Sequence, residues 1–184
     1  QERDTVCGIA VSGRTPFVWG ALAAAARRGA DRILVTCNPQ WREARARART
    51  ETPEVDVAIV LSVGPEVVAG SSRLKGGTAT KLALNSLTTA AMIRWGIVHD
   101  NLMVDVVPSN QKLRRRAVRL VAQIAAVETS RAERLLAKAG GRVKVAVLLR
   151  DGGTPEAAEA ALARHRDRLR AAAAEFLGGE FAVP

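Results

Sequence analysis

Two stretches of this chain carry side chains suited to holding an anion. The first is Ser12-Gly13-Arg14-Thr15-Pro16; the second runs over residues 64–78 and sets Glu66, Ser71, Ser72, Arg73, Lys75 and Thr78 among glycines at 64, 70, 76 and 77. Hydroxyls and backbone N–H groups donate to phosphate oxygens, and glycine lets the backbone come close to them. Each stretch runs into a helix pattern, whose first N–H groups are free to face an anion. The first loop admits a second reading, in which Ser12 or Thr15 only caps the following helix. A nucleoside triphosphate is excluded, because GSSRLKGG places no lysine followed by Ser or Thr at the P-loop spacing, and no G-x-G-x-x-G for a dinucleotide occurs. Proton-transfer chemistry needs one group to take a proton and another to give one. Glu66 is the one carboxylate in these two stretches.

The elements that must position the loops follow from periodicity. Residues 5–11, 31–37 and 55–63 are short apolar runs rich in β-favouring residues, as in parallel strands buried on both faces. Residues 17–28 form the helix between the first two strands, closed by Gly29. Residues 40–49 predict a short, charged surface helix, and Asn38-Pro39 and Thr52-Pro53 mark turns. The class is therefore α/β, an open parallel sheet flanked by helices, in which ligands sit beyond the carboxyl ends of the strands. Both loops lie at those ends. Residues 78–95 predict a helix whose Leu82, Leu84, Leu87, Ala90, Ala91 and Met92 suit either the core or a dimer seam. Pro108-Ser109-Asn110 reads as a boundary and helix cap, dividing the chain into a sheet domain, 1–107, and a small helical domain, 108–184. Within the latter, a helix starts near Ser130 and ends at Gly140-Gly141, and the following RVKVAVLL alternates with the period of a strand. Thr154-Pro155-Glu156 then opens a helical stretch bent or broken near His165, and the tail from Gly178 onward is expected to fray.

Composition bounds the partners. The 184 residues are 48% hydrophobic, enough for a real core, and carry a formal net charge of +10. The arginines are scattered among alanines and only 3% of residues are aromatic, the pattern of solvated helix faces rather than of a nucleic-acid surface. Cys7 and Cys37 stand apart, without a second cysteine or a histidine at metal spacing, which fits reduced thiols in the cytoplasm and no metal site. No run approaches the ~18 apolar residues of a membrane span. His165 lies on a charged face and is not read as a ligand, whereas His99 stands near the central loop. The chain begins at Gln1 and enters its first strand at once, so further sequence is expected upstream.

SGRTP, GPEVVAGSSRLKGGTATKLALN, TAAMIRWG, NLMVDV and SNQKLRRRAVRLV, in that order, resemble the carboxyl-terminal part of the N-acetylmuramic acid 6-phosphate etherases. That family has the sugar isomerase (SIS) fold and is related to the glucokinase regulatory protein. The resemblance is strongest over 64–121 and fades in the last third; Ser86, Ile97, His99 and Asp100 depart from the family's commoner residues. It implies an SIS-type sheet with its amino-terminal part missing, followed by a helical lid, with RVKVAVLL helical rather than extended. It implies a carbon–oxygen lyase of cell-wall amino sugar recycling, using no cofactor and acting as a homodimer. In that reaction a base removes the proton alpha to the aldehyde of the opened sugar, D-lactate leaves from the adjacent carbon, and water adds. The implied substrate-binding set is Ser12, Gly13, Arg14, Thr15, Glu66, Ser71, Ser72 and Lys112. The family's two catalytic glutamates and first phosphate loop are expected upstream of Gln1, so no catalytic residue is assigned within this chain. That absence also leaves open a non-catalytic sugar-phosphate-binding or regulatory module.

Overall fold

A computed structural model describes residues 4–47 and 52–178. The chain divides into two compact units, Gln1–Leu87 and Thr88–Pro184. The end of the expected helix over 40–49 and the tail beyond Gly178 lie outside the described residues.

The first unit is a parallel three-stranded sheet in the order β1-β2-β3, with β1 at Thr5–Ile9, β2 at Asp31–Thr36 and β3 at Val57–Val60. Thr5 stands opposite Asp31 and Ile33 opposite Val57. The helix α1, Pro16–Arg27, supplies the crossover and lays Val18, Trp19 and Leu22 on the sheet. It comes so close that a Cβ on Gly8 would sit 2.8 Å from Val18 Cγ1, so glycine at this position of β1 is what admits the helix. The short helix α2, Trp41–Ala46, lies on the surface as expected, with Arg42, Glu43 and Ala46 exposed, but one apolar residue anchors it. Trp41 is buried in the core and stacks on Trp19, ring centroids 6.4 Å apart, while Arg42 lies 4.6 Å from the centre of the Trp41 ring. One aromatic residue outweighs a charged helix, because its buried area exceeds anything its solvated neighbours contribute.

The helix α3, Lys75–Arg94, runs from the first unit into the second. Its apolar positions suited a core or a seam between subunits. Among the described residues Gly76 is its one buried member, and Leu82 and Ile93 are more than half exposed, so within this chain it is not a core helix.

The second unit opens with a two-residue hairpin, β4 at Val98–His99 and β5 at Leu102–Met103. Among the described residues five α-helices follow: α4 Gln111–Ala125, α5 Thr129–Lys138, α6 Val143–Leu148, α7 Pro155–Arg164 and α8 Leu169–Leu177. Asn110 caps α4 by accepting from the Leu113 N–H at 2.9 Å, and Thr154 caps α7 through the Ala157 N–H. RVKVAVLL is helical, as the resemblance implied and its alternation did not. All six residues of α6 are buried, so no face remains for a period to record.

The last four helices are a duplication. At an offset of 26 positions Ala132 matches Ala158, Leu136 matches Leu162, Val143 matches Leu169 and Ala146 matches Ala172, every one of them buried. The turns correspond as well: the Gly141 N–H donates to the Leu136 carbonyl and the Asp167 N–H to that of Leu162, at 2.9 and 2.8 Å. Lys144, 1% exposed, joins the copies, its ammonium held by Asp167 and lying 3.6 Å from Asp105.

Candidate functional site

The carboxyl ends of β1, β2 and β3 meet in the first unit, and the two anion-type loops start there. The first loop is held from behind. The Trp19 indole donates to the Gly13 carbonyl at 3.0 Å, Asn38 Nδ2 donates to the Ser12 carbonyl at 3.0 Å, and the Thr36 hydroxyl donates to the Val11 carbonyl at 3.2 Å. Gly13 turns at φ +69° with Trp41 Cβ 3.2 Å from where its own Cβ would be, so a side chain there would be both strained and crowded. Gly13 is thus buried and its N–H donates inward to the Ala10 carbonyl, while Ser12, Arg14 and Thr15 are exposed. Thr15 occupies the N-cap of α1 without a side-chain cap bond, and the Ser12 hydroxyl accepts from the Arg14 N–H at 3.3 Å. Neither hydroxyl closes the helix end.

The second loop ends differently. Glu66 reaches across to the start of α3, where its Oε2 accepts from the Lys75 N–H and its Oε1 from the Gly76 N–H, both at 2.9 Å. The Gly76 and then the Lys75 hydrogen bonds, assisted by the Lys75 charge, hold this carboxyl below its ordinary pKa. The anion at this helix start is therefore the protein's own glutamate, something spacing alone does not reveal. A Cβ on Gly76 would lie 3.1 Å from Val11 Cγ1, 3.3 Å from Glu66 Oε1 and 3.5 Å from Cys37 Sγ. Glycine is what lets α3 start between the ends of β1 and β2, bringing the Glu66 loop beside the Ser12 loop. Among the described residues the Ser71 and Ser72 side chains make no hydrogen bond, and Ser72 is exposed.

Lys112 belongs to the second unit, in the first turn of α4, where it lines a cleft of about 1060 Å³ together with Arg114, Arg115, Arg119 and Glu133. His99 is buried in the hairpin, and that burial lowers its pKa and keeps it neutral near pH 7. His165 pairs with Glu175 beside Arg164. Cys7 and Cys37 are free and half-buried, and burial raises the Cys7 pKa. Among the described residues no group of three or more His, Cys, Asp or Glu side chains is placed to hold a metal ion, and no helix is long and apolar enough to cross a membrane.

The chain is 46% identical over 172 residues to the N-acetylmuramic acid 6-phosphate etherase of Microcystis aeruginosa, an alignment covering 93% of this chain and 54% of that protein. It is 48% identical over 170 residues to the protein of the same name from Mesorhizobium japonicum, covering 92% and 53%. The chain belongs to the N-acetylmuramic acid 6-phosphate etherase family. A third member, from Salmonella paratyphi B, is 43% identical over 173 residues, covering 94% and 56%. The chain thus spans about half the length of the curated relatives it matches. No family model matches it.

Proposed function

We propose that this chain forms the sugar-phosphate-binding wall of an etherase that splits the lactyl ether of N-acetylmuramic acid 6-phosphate, yielding N-acetylglucosamine 6-phosphate and D-lactate during recycling of cell-wall amino sugars. The observation that carries the reading is the junction at Gly76. There the second loop, with Ser71 and Ser72, abuts the end of β1 that leads into Ser12, Arg14 and Thr15. Relatives bearing the etherase name supply the substrate. Ser12, Arg14, Thr15, Ser71 and Ser72 donate to the phosphate or sugar, and Gly13 shapes the turn. Glu66 orders the start of α3: a carboxylate held ionised by two N–H groups has no proton to give near pH 7, so it is not the acid of the reaction. The acid and base are assigned to carboxylates outside these loops. Two copies pair along the exposed apolar side of α3, at Leu82, Met92 and Ile93.

The ionised Glu66 also supports a second reading, a module that binds the sugar phosphate without cleaving it. Calorimetric titration with N-acetylglucosamine 6-phosphate, beside an assay of D-lactate released from N-acetylmuramic acid 6-phosphate, tests both. Binding that weakens at least about tenfold in Ser12→Ala, as expected on loss of a bond to a charged group, supports the wall. Absence of heat with any hexosamine 6-phosphate, or binding indifferent to Ser12→Ala, refutes it. D-Lactate release abolished by Glu66→Gln while sugar-phosphate binding and melting temperature stay those of the parent would overturn the role given to Glu66.

A further inference from the structure

The duplication in the second unit exposes a residue that internal contacts leave unexplained. In the first copy the turn between helices is Gly140-Gly141, at φ +59° and +88°, where glycine is at ease. In the second copy Arg166 and Asp167 occupy the same positions at φ +53° and +61°, a conformation that disfavours residues bearing a Cβ. Asp167 has a structural reason to be there, since its carboxylate holds the buried Lys144 and lies 3.6 Å from Arg142. Arg166 has none. It is exposed, and among the described residues its side chain makes no hydrogen bond or ion pair.

What Arg166 does line is a hollow of about 540 Å³, shared with Arg94, Trp95, Ala163, Asp167 and Arg168. Trp95 leaves 69% of its surface in water, whereas Trp19 and Trp41 are buried. The wall is built rather than accidental. Gly96 turns at φ +80°, and a Cβ there would sit 2.8 Å from the Asp167 carbonyl oxygen, so only glycine lets the end of α3 press against the strained turn. Arg168 Nη2 donates to the Arg94 carbonyl at 3.4 Å, which ties the two arginine-bearing segments together. The one carboxylate in the lining, Asp167, is already neutralised by Lys144 and Arg142, so the hollow is lined by three arginines and an exposed tryptophan. Guanidinium forks match phosphate oxygens, and an indole face stacks on a flat ring. The volume lies within the range of small-molecule sites.

We propose that Arg94, Trp95, Arg166 and Arg168 form a site for a small phosphate monoester bearing a flat aromatic ring, in chemical class a nucleoside monophosphate. All of its lining residues belong to the second unit, whereas the sugar-phosphate loops belong to the first. The test titrates AMP into the full chain and follows tryptophan fluorescence, to which exposed Trp95 responds and the buried tryptophans do not, with calorimetry alongside. Saturable quenching is expected at AMP concentrations on the order of 1 mM or below. Ribose 5-phosphate lacks the ring and adenosine lacks the phosphate, and each should bind at least about tenfold more weakly. By calorimetry, Trp95→Ala and Arg166→Gly should each weaken AMP at least about tenfold. Arg166→Gly is the decisive variant, because glycine suits φ +53° and the protein should melt at the same temperature or higher while losing the ligand. Failure of AMP to bind, AMP binding unchanged in Arg166→Gly, equal binding of N-acetylglucosamine 6-phosphate at this hollow, or binding only of longer oligonucleotides would each overturn the proposal.

Discussion

Replacing Asp167 by Asn should destabilise the helical unit by about 3 kcal/mol, and replacing the partner Lys144 should not. Lys144 is 1% exposed, and its ammonium has two carboxylates near it, Asp167 in contact and Asp105 at 3.6 Å. Removing one partner of a buried pair typically costs about 3–5 kcal/mol, because a charge is left stranded out of water. The low end applies here, since Asp105 remains to compensate. Asn resembles Asp in shape and also tolerates the left-handed conformation, so the substitution isolates the charge. The reverse substitution differs in kind. In Lys144→Met an unbranched apolar chain fills the Lys volume, and Asp167, whose side chain is 36% exposed, turns to water, so the cost stays within about 1 kcal/mol. Adding Lys144→Met to Asp167→Asn removes the stranded cation and should restore about 2 kcal/mol.

Urea unfolding followed by far-ultraviolet circular dichroism measures these differences. With a slope of about 1–3 kcal/mol per molar urea, Asp167→Asn should lower the midpoint by about 1–3 M. The double variant should lie between Asp167→Asn and the parent. If Asp167→Asn moves the midpoint by less than about 0.3 M, or if Lys144→Met costs as much as Asp167→Asn, then Lys144 is not a stranded charge and the account of the second repeat fails.

Two further outcomes concern the loops. The Glu66 carboxyl has a folded pKa below its ordinary value near 4.5, so its contribution is complete above that value and is lost as pH falls through the lower folded pKa. Melting temperatures of the parent and Glu66→Gln should therefore be well separated at pH 7 and converge as pH falls below the folded pKa of Glu66; a constant separation would show that charge plays no part in the cap. Trp41→Ala removes a buried ring stacked on Trp19 and should cost about 3–5 kcal/mol of unfolding free energy in urea. A loss below about 1 kcal/mol would show that Trp41 does not anchor α2 to the sheet.

The parallel sheet was legible because branched residues cluster in short runs with glycine or Asn-Pro at their ends, and such runs have few other uses. The two loops were legible for the same reason, as glycine and hydroxyl residues concentrate where β1 and β3 stop. Residues whose role depends on a single side chain resisted. Trp41 sits among charges in a six-residue helix, too short for an apolar stripe to show. The hairpin at Val98 and Leu102 has two-residue strands, which hold no period at all. In α6 the alternation of Lys144 with valines mimics a strand, yet every position is buried and the polar residue is satisfied by two aspartates rather than by solvent. The duplication is hidden in the sequence because its second turn replaces two glycines with Arg166 and Asp167, erasing the sign that marks the first.

Glu66 shows why residue type alone does not assign a role at the loops. A carboxylate among glycines, serines and cations suggests contact with a ligand, and the start of a helix beside it suggests a slot for phosphate. The geometry joins the two, because the helix start is the partner of the carboxylate. A phosphate bound here would have to displace Glu66 from the Lys75 and Gly76 N–H groups, giving up two charge-assisted bonds to make others of the same kind. A phosphate seated on the exposed Ser12, Arg14 and Ser72 side chains gives up nothing comparable. Arg14 makes no ion pair among the described residues, so its charge remains available. That asymmetry places the proposed phosphate beside Glu66 rather than in its stead, and it makes Ser12→Ala, rather than any substitution at the start of α3, the informative change for binding.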